Sequence, residues 1–325
     1  MTVHRRHILR LAGGAVLAPM LPRIARADTY PSQPVRIIVG FAAGGANDII
    51  GRILAQFMTE KLGKPFIVEN KPGAAGNIAA EYVAHSQPDG YTLLMANAPN
   101  AINQTLYTKL NFSFVRDTTP VGGIMTIPNV MEVTPSLPVK TVKEFIDYAK
   151  AHPDTINMGI PGVGSSVHVS GELFKMLTGV TMQNVSYRGS APMLTDLISG
   201  RVNVTFDNLP ASIEHIRAGR LRALAVTTAQ RAEALPDVPT IGDTVPGYEA
   251  NAWFGIVAPT KTPSGIIATL NKTLNDALAD PKLKVRLAEM GGTIIAAPPD
   301  AFGKLIAEDV EKWAKVIKFA NLKAD

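Results

Sequence analysis

Apolar residues run almost unbroken through Val35-Arg36-Ile37-Ile38-Val39 and then switch to helical spacing at Ile49, Ile50, Ile53, Leu54, Phe57, Met58 and Leu62, ahead of Gly63. That change of period predicts a buried strand over 35–39, a glycine-rich loop over 40–47 and a helix over 48–62. Phe66-Ile67-Val68 reads as the next strand and Pro72-Gly73 as a turn; a helix over 77–85 and a strand over 91–95 flank Pro88-Asp89-Gly90. The alternation resumes beyond a proline-rich region at 120–138. Helices are predicted over 141–152, 166–177, 191–199 and 213–218, and strands over 156–160, 182–187, 202–206 and 221–227. After Pro236-Asp237-Val238-Pro239, a strand at 252–258 leads into three helices near 263–279, 282–290 and 299–320. Thr262-Pro263 and Asp280-Pro281 open the first two of these. Strands alternating with helices of this length predict parallel sheet with right-handed crossovers.

Two α/β units followed by a helical segment predict two lobes joined by crossing segments near 125–135, 225–230 and 250–256. Residues 28–125 with 229–325 make up the first lobe, and 126–228 the second. The 325 residues, 46% of them hydrophobic, supply enough core for both. Ligands bind such sheets outside the carboxyl ends of the strands. The candidate site loops are therefore 40–48, 96–103, 161–168, 187–192 and 206–210.

The first 27 residues are of another kind. His4-Arg5-Arg6-His7 is basic, Ile8 to Leu21 is mostly apolar, and Ala25-Arg26-Ala27 offers small residues where a signal peptidase cuts. They predict a signal peptide removed before Asp28. Arg5-Arg6 fits a twin-arginine export signal and an ordinary secretion signal alike. The five arginines of this stretch come off the 32 Lys and Arg, which leaves 27 cations against 27 acids in the mature chain. Formal neutrality removes charge as an argument for nucleic acid or an anionic membrane. With no cysteine, disulfides, thiol catalysis and Cys-ligated metals are excluded. No histidine pair has metal-ligand spacing, so neither a metal nor a cofactor is expected.

Gly40-Phe41-Ala42-Ala43-Gly44-Gly45-Ala46-Asn47-Asp48 follows a strand and opens a helix, as does Pro161-Gly162-Val163-Gly164-Ser165-Ser166-Val167-His168 in the second unit. Glycines let backbone N–H groups approach a ligand, and helix N-termini add partial positive charge. Either loop taken alone reads as well as a capped turn; one per lobe points to an anion held between them. Loops 40–48, 96–103 and 161–168 contain no Lys or Arg, so N–H groups, hydroxyls and water replace an arginine clamp. Arg188 reads as a rim residue. Asp207 reads as an acceptor or a helix cap, and His168 as a neutral ring orienting its loop. Ser165-Ser166 do not form a GxSxG elbow, and no catalytic residue is assigned. Core or hinge packing is expected of Trp253 and Phe254.

Several short segments together carry a family resemblance: Tyr30-Pro31-Ser32-Gln33-Pro34, Gly44-Gly45 with Asp48, Val68-Glu69-Asn70-Lys71-Pro72-Gly73-Ala74 and Pro88-Asp89-Gly90-Tyr91. Gly171-Glu172-Leu173-Phe174-Lys175, Tyr187-Arg188-Gly189-Ser190-Ala191-Pro192, Phe206-Asp207-Asn208 and Trp253-Phe254-Gly255 extend it. The chain resembles the Bug-type receptors of tripartite tricarboxylate transporters. The resemblance implies a two-lobed periplasmic-binding-protein fold of type II, the Venus flytrap, closing on a small carboxylate. It implies ligand contacts on loops 40–48 and 161–168 and at Asp207; with the candidate loops 96–103 and 187–192, the expected contacts are Phe41, Ala43, Gly44, Gly45, Asp48, Asn97, Ala98, Gly164, Ser165, Ser166, His168, Tyr187 and Asp207. It also implies a periplasmic receptor that works as a monomer and delivers its ligand to membrane subunits. Ala42-Ala43 replace the prolines usual in the family before the paired glycines. A sensory receptor for a kinase is the alternative reading, and a periplasmic hydrolase a remoter one.

Overall fold

The computed structural model describes residues 30–324; the signal-peptide expectation falls outside them. Among the described residues there are eleven α-helices and ten strands, the strands forming two mixed sheets that share one long strand. The first sheet has the order β2 (Phe66–Asn70), β1 (Val35–Val39), β3 (Thr92–Asn97), β9 (Asn251–Pro259) and β4 (Thr118–Val133). The two-residue β10 (Thr293–Ile294) pairs with β4 at its edge. The second sheet has β8 (Arg222–Val226) on one side of the far half of β4 and β7 (Val204–Asn208) on the other. It continues through β5 (Asn157–Ile160) to β6 (Gln183–Ser186).

Pairs β1–β2, β1–β3, β5–β6 and β5–β7 are parallel, as the alternation predicts. Every pair made by β4 and β9 is antiparallel, which alternation could not foresee. β4 occupies the region read as proline-rich. Its register with β9 shifts between Pro120 and Gly122 and again between Gly123 and Met125, so the bulges absorb the residues that break a strand pattern. Gly122 and Gly123 lie under Leu274 and Phe302, where a Cβ would stand within 3.0 and 3.1 Å of side-chain carbons.

β4 passes from one sheet to the other near Pro128-Asn129, beside the start of β9. Residues 227–250 run along the second sheet: the Val226 N–H donates to Pro239 O, and the Tyr248 hydroxyl to Ser170 O at 3.0 Å. The long final helix α11 (Pro299–Phe319) packs against α3 (Ala98–Leu106) beside the first sheet and α6 (Ser166–Thr178) beside the second. Trp253 is fully buried and donates from Nε1 to Asp309 Oδ2 at 2.6 Å, which ties β9 to this helix. Its ring meets Phe302 edge-on at 5.4 Å, so packing between β9 and α11 is its place in the fold.

Candidate functional site

Four strands end at one place, and each hands over to a helix there. β1 leads into α1 (Ala46–Leu62), β3 into α3, β5 into α6 and β7 into α8 (Leu209–Arg217). Gly45, Asn97, Ser165 and Asn208 are the four N-caps, and all line one cavity of about 390 Å³. Each helix leaves its first N–H groups without intrahelical acceptors and carries partial positive charge at that end. Among the described residues, no Lys, Arg, His, Asp or Glu lines the cavity. The electrostatics of this space are set by backbone dipoles, and they favour an anion.

Phe41, Gly45, Asn97, Ala98, Gly164, Ser165 and Ser166, named from the sequence, stand on its wall. Ala43, Gly44, Asp48, His168, Tyr187 and Asp207 do not. Ala43 and Gly44 face solvent. Asp48 turns back into its own loop, where Oδ2 accepts from the Gly44 N–H at 2.9 Å and from Arg52 Nε at 3.0 Å, and Oδ1 accepts from Asn70 at 3.0 Å. The Arg52 guanidinium holds this carboxyl down at about 2. Asp48 therefore fixes the shape of the first glycine loop and leaves the wall to the backbone.

His168 does the same for the second loop. Its ring is buried, and Nδ1 accepts from the Gly164 N–H at 3.2 Å. Glu172 Oε1 lies 3.5 Å from Nε2 and also accepts from Lys175 at 2.9 Å and Asn184 at 2.7 Å. Burial pushes the Glu172 carboxyl up, but the bonds from His168, Asn184 and Lys175 outweigh it and hold it at about 2. Ser165, not Ser166, is the cap of α6, its Oγ accepting from the His168 N–H at 3.2 Å. Tyr187 is drawn away by Asp196, to which its hydroxyl donates at 2.9 Å.

Asp207 is completely buried behind the cap Asn208. Oδ1 accepts from Ser190 Oγ at 2.8 Å and from the Asn208 N–H at 2.9 Å, while Oδ2 has no partner. Burial pushes its carboxyl up to about 6. Glu132, two residue pairs along on β4, is likewise pushed well above the carboxylate range, by burial first and by Asp207 second.

Ala75, Ala252 and Phe254 also line the cavity but were not named as contacts from the sequence. Ala75 sits in a short 3-10 turn after Gly73, with φ 50°. A Cβ at Gly40 would stand 2.8 Å from the Gly76 Cα, so two glycine backbones in contact bring this turn to the site. The paired glycines were the available signal. Phe254 is carried in by β9, opposite Asn97 of β3, an antiparallel pairing with no local trace in the sequence.

The family described as "Tripartite tricarboxylate transporter family receptor" matches residues 50–322. Protein BugT of Bordetella pertussis is 35% identical over 316 residues, covering 96% of this chain and 95% of that protein. The structure of R. palustris Rpa4515 with adipate superposes with TM-score 0.80 at 40% identity, covering 90% of this chain and 99% of the other. MatC from Rhodopseudomonas palustris with bound malate gives TM-score 0.77 at 31% identity, covering 89% and 100%. Two sheets sharing a strand, a cleft at their helix N-termini and these matches along nearly the whole chain agree. The chain belongs to the solute-binding receptors of the tripartite tricarboxylate transporter family.

Proposed function

We propose that this receptor captures a small carboxylate between its two lobes in the periplasm and delivers it, unchanged, to the membrane subunits of a tripartite transporter. The observation that carries the reading is the meeting of four helix N-termini around a cavity with no charged side chain on its wall. A carboxylate satisfies N–H groups that a closed cleft would otherwise strip of water. The relatives crystallised with adipate and malate support the same ligand class. Residues 28–125 with 229–325 act as one lobe and 126–228 as the other, with 229–250 lying as a strap along the second sheet. The protein is exported by its first 27 residues, works as a monomer and turns nothing over. Ala43, Gly44, Asp48, His168, Tyr187 and Asp207 then serve the ligand by holding the two loops and the α8 cap in place.

Calorimetric titration of the purified mature protein with adipate and malate tests this. Saturable one-to-one binding of a carboxylate, recovered unaltered by mass spectrometry, is expected. Failure of these acids and of other aliphatic and aromatic carboxylates to bind, or recovery of a converted product, would overturn it.

A further inference from the structure

Beyond a carboxylate as such, the cavity wall specifies what the rest of the ligand is made of. The polar side chains on it, Asn47, Ser165, Ser166 and Asn208 among them, sit at the helix N-termini where the anion is held. The remaining wall is hydrocarbon: Phe41 and Phe254 with Ala98, Ala252 and Val163. Phe41 follows β1 and Phe254 lies on β9, with β3 between these strands. The strands that carry the two rings are thus two strand spacings apart, about 9–10 Å, with Ala98 just past the end of the strand between them. Phe41 is braced from behind, since its ring edge lies 3.3 Å from where a Cβ of Gly76 would stand.

We infer that the ligand of this receptor is a carboxylate with an uninterrupted apolar body, a chain of four or more carbons or one aromatic ring, and that amino and hydroxylated acids are rejected. This rests on the carboxylate reading above. An ammonium group would find no counter-ion on the wall. Asp48 spends both its oxygens on Gly44, Arg52 and Asn70, and Asp207 lies buried behind Asn208. A charge buried without a partner is expelled at a cost that exceeds most of a small ligand's affinity. The Asn and Ser side chains, with the unpartnered Asn47 Nδ2 and Asn97 Oδ1 among them, gather at the helix N-termini; hydroxyls carried farther along the ligand, against Phe41, Phe254 and alanine methyls, would lose their water and gain no partner there.

The test is a calorimetric panel of adipate, hexanoate and benzoate against malate, citrate and glutamate, with Phe41→Ala as a second arm. The tightest apolar-bodied acid is expected to bind at least tenfold more strongly than any of the three polar-bodied acids. Phe41→Ala, at a half-buried position with thermal unfolding checked, is expected to weaken that acid at least fivefold. Malate, citrate or glutamate binding within tenfold of the best apolar acid, or a Phe41→Ala loss below fivefold, would overturn the inference while leaving the carboxylate reading in place. Binding of none of the six would sink the carboxylate reading itself.

Discussion

Gly45 shows how a single residue separates folding from binding in this site. Its backbone lies at φ −79° and ψ 169°, open to any L-residue, and an added Cβ would meet only Ala42 O at 3.6 Å. Gly45→Val therefore leaves the fold alone and puts its methyls where the ligand's carboxylate must approach the N–H groups of α1. We expect at least a tenfold loss of adipate affinity by calorimetry, whereas Arg188→Ala, at an exposed position off the cavity wall, should change it less than threefold. The reverse ranking would return the anion to an arginine clamp. Asp207 makes a prediction about pH. Its carboxyl titrates near 6 when folded against 3.8 ordinarily, so between about pH 4 and 6 the unfolded chain releases a proton that the folded chain keeps. Its contribution to stability is present in full below pH 4 and is lost as pH rises to about 6, by roughly 1–3 kcal/mol. Urea unfolding should accordingly show the stability of wild type relative to Asp207→Asn falling across that window. A flat difference would mean that Asp207 is ionised without strain.

At the scale of elements, α11 is the piece whose role depends on contacts far apart in sequence. Asp309 accepts from the buried Trp253 indole and pairs with Lys312 at 2.6 Å, pinning β9 to the helix that spans both sheets. A hydrogen bond to a charged group contributes about 1.5–3 kcal/mol, so Asp309→Ala should lower the unfolding free energy by about that much, read as a lower urea midpoint, without touching the cavity. An unchanged midpoint would make α11 a passenger. The same distance explains what the sequence could and could not say. Helices with a clear apolar stripe and a stop, such as α1 ending at Gly63, were legible to within two residues. β4 was not, because Pro120, Gly122, Gly123 and Pro128 disguise a sixteen-residue strand whose partners lie more than seventy residues away. The glycine loops and cap residues were legible as site elements, being local. That Asp48 and His168 turn inward to Gly44 and Gly164 was not: Arg52 and Glu172 stand one turn along the same helices, but the choice between touching a ligand and shaping its loop also rests on Asn70 of β2, outside the local pattern.

For the whole molecule, the account requires both sheets to meet one ligand. The Gly164 loop already reaches across: a Cβ there would fall 2.3 Å from Leu106 at the end of α3, so the two halves approach closely at this point. A ligand that binds this arrangement better than an open one shifts the population towards it by its differential affinity. Hydrogen–deuterium exchange on the mature protein, saturated with adipate or with the tightest acid of the panel, reads this directly. The account predicts slowed exchange at both helix starts, in peptides covering 44–49 and 162–168, with the outer strand β6 unchanged. Protection confined to one of these two segments, under demonstrated saturation, would contradict capture between the lobes.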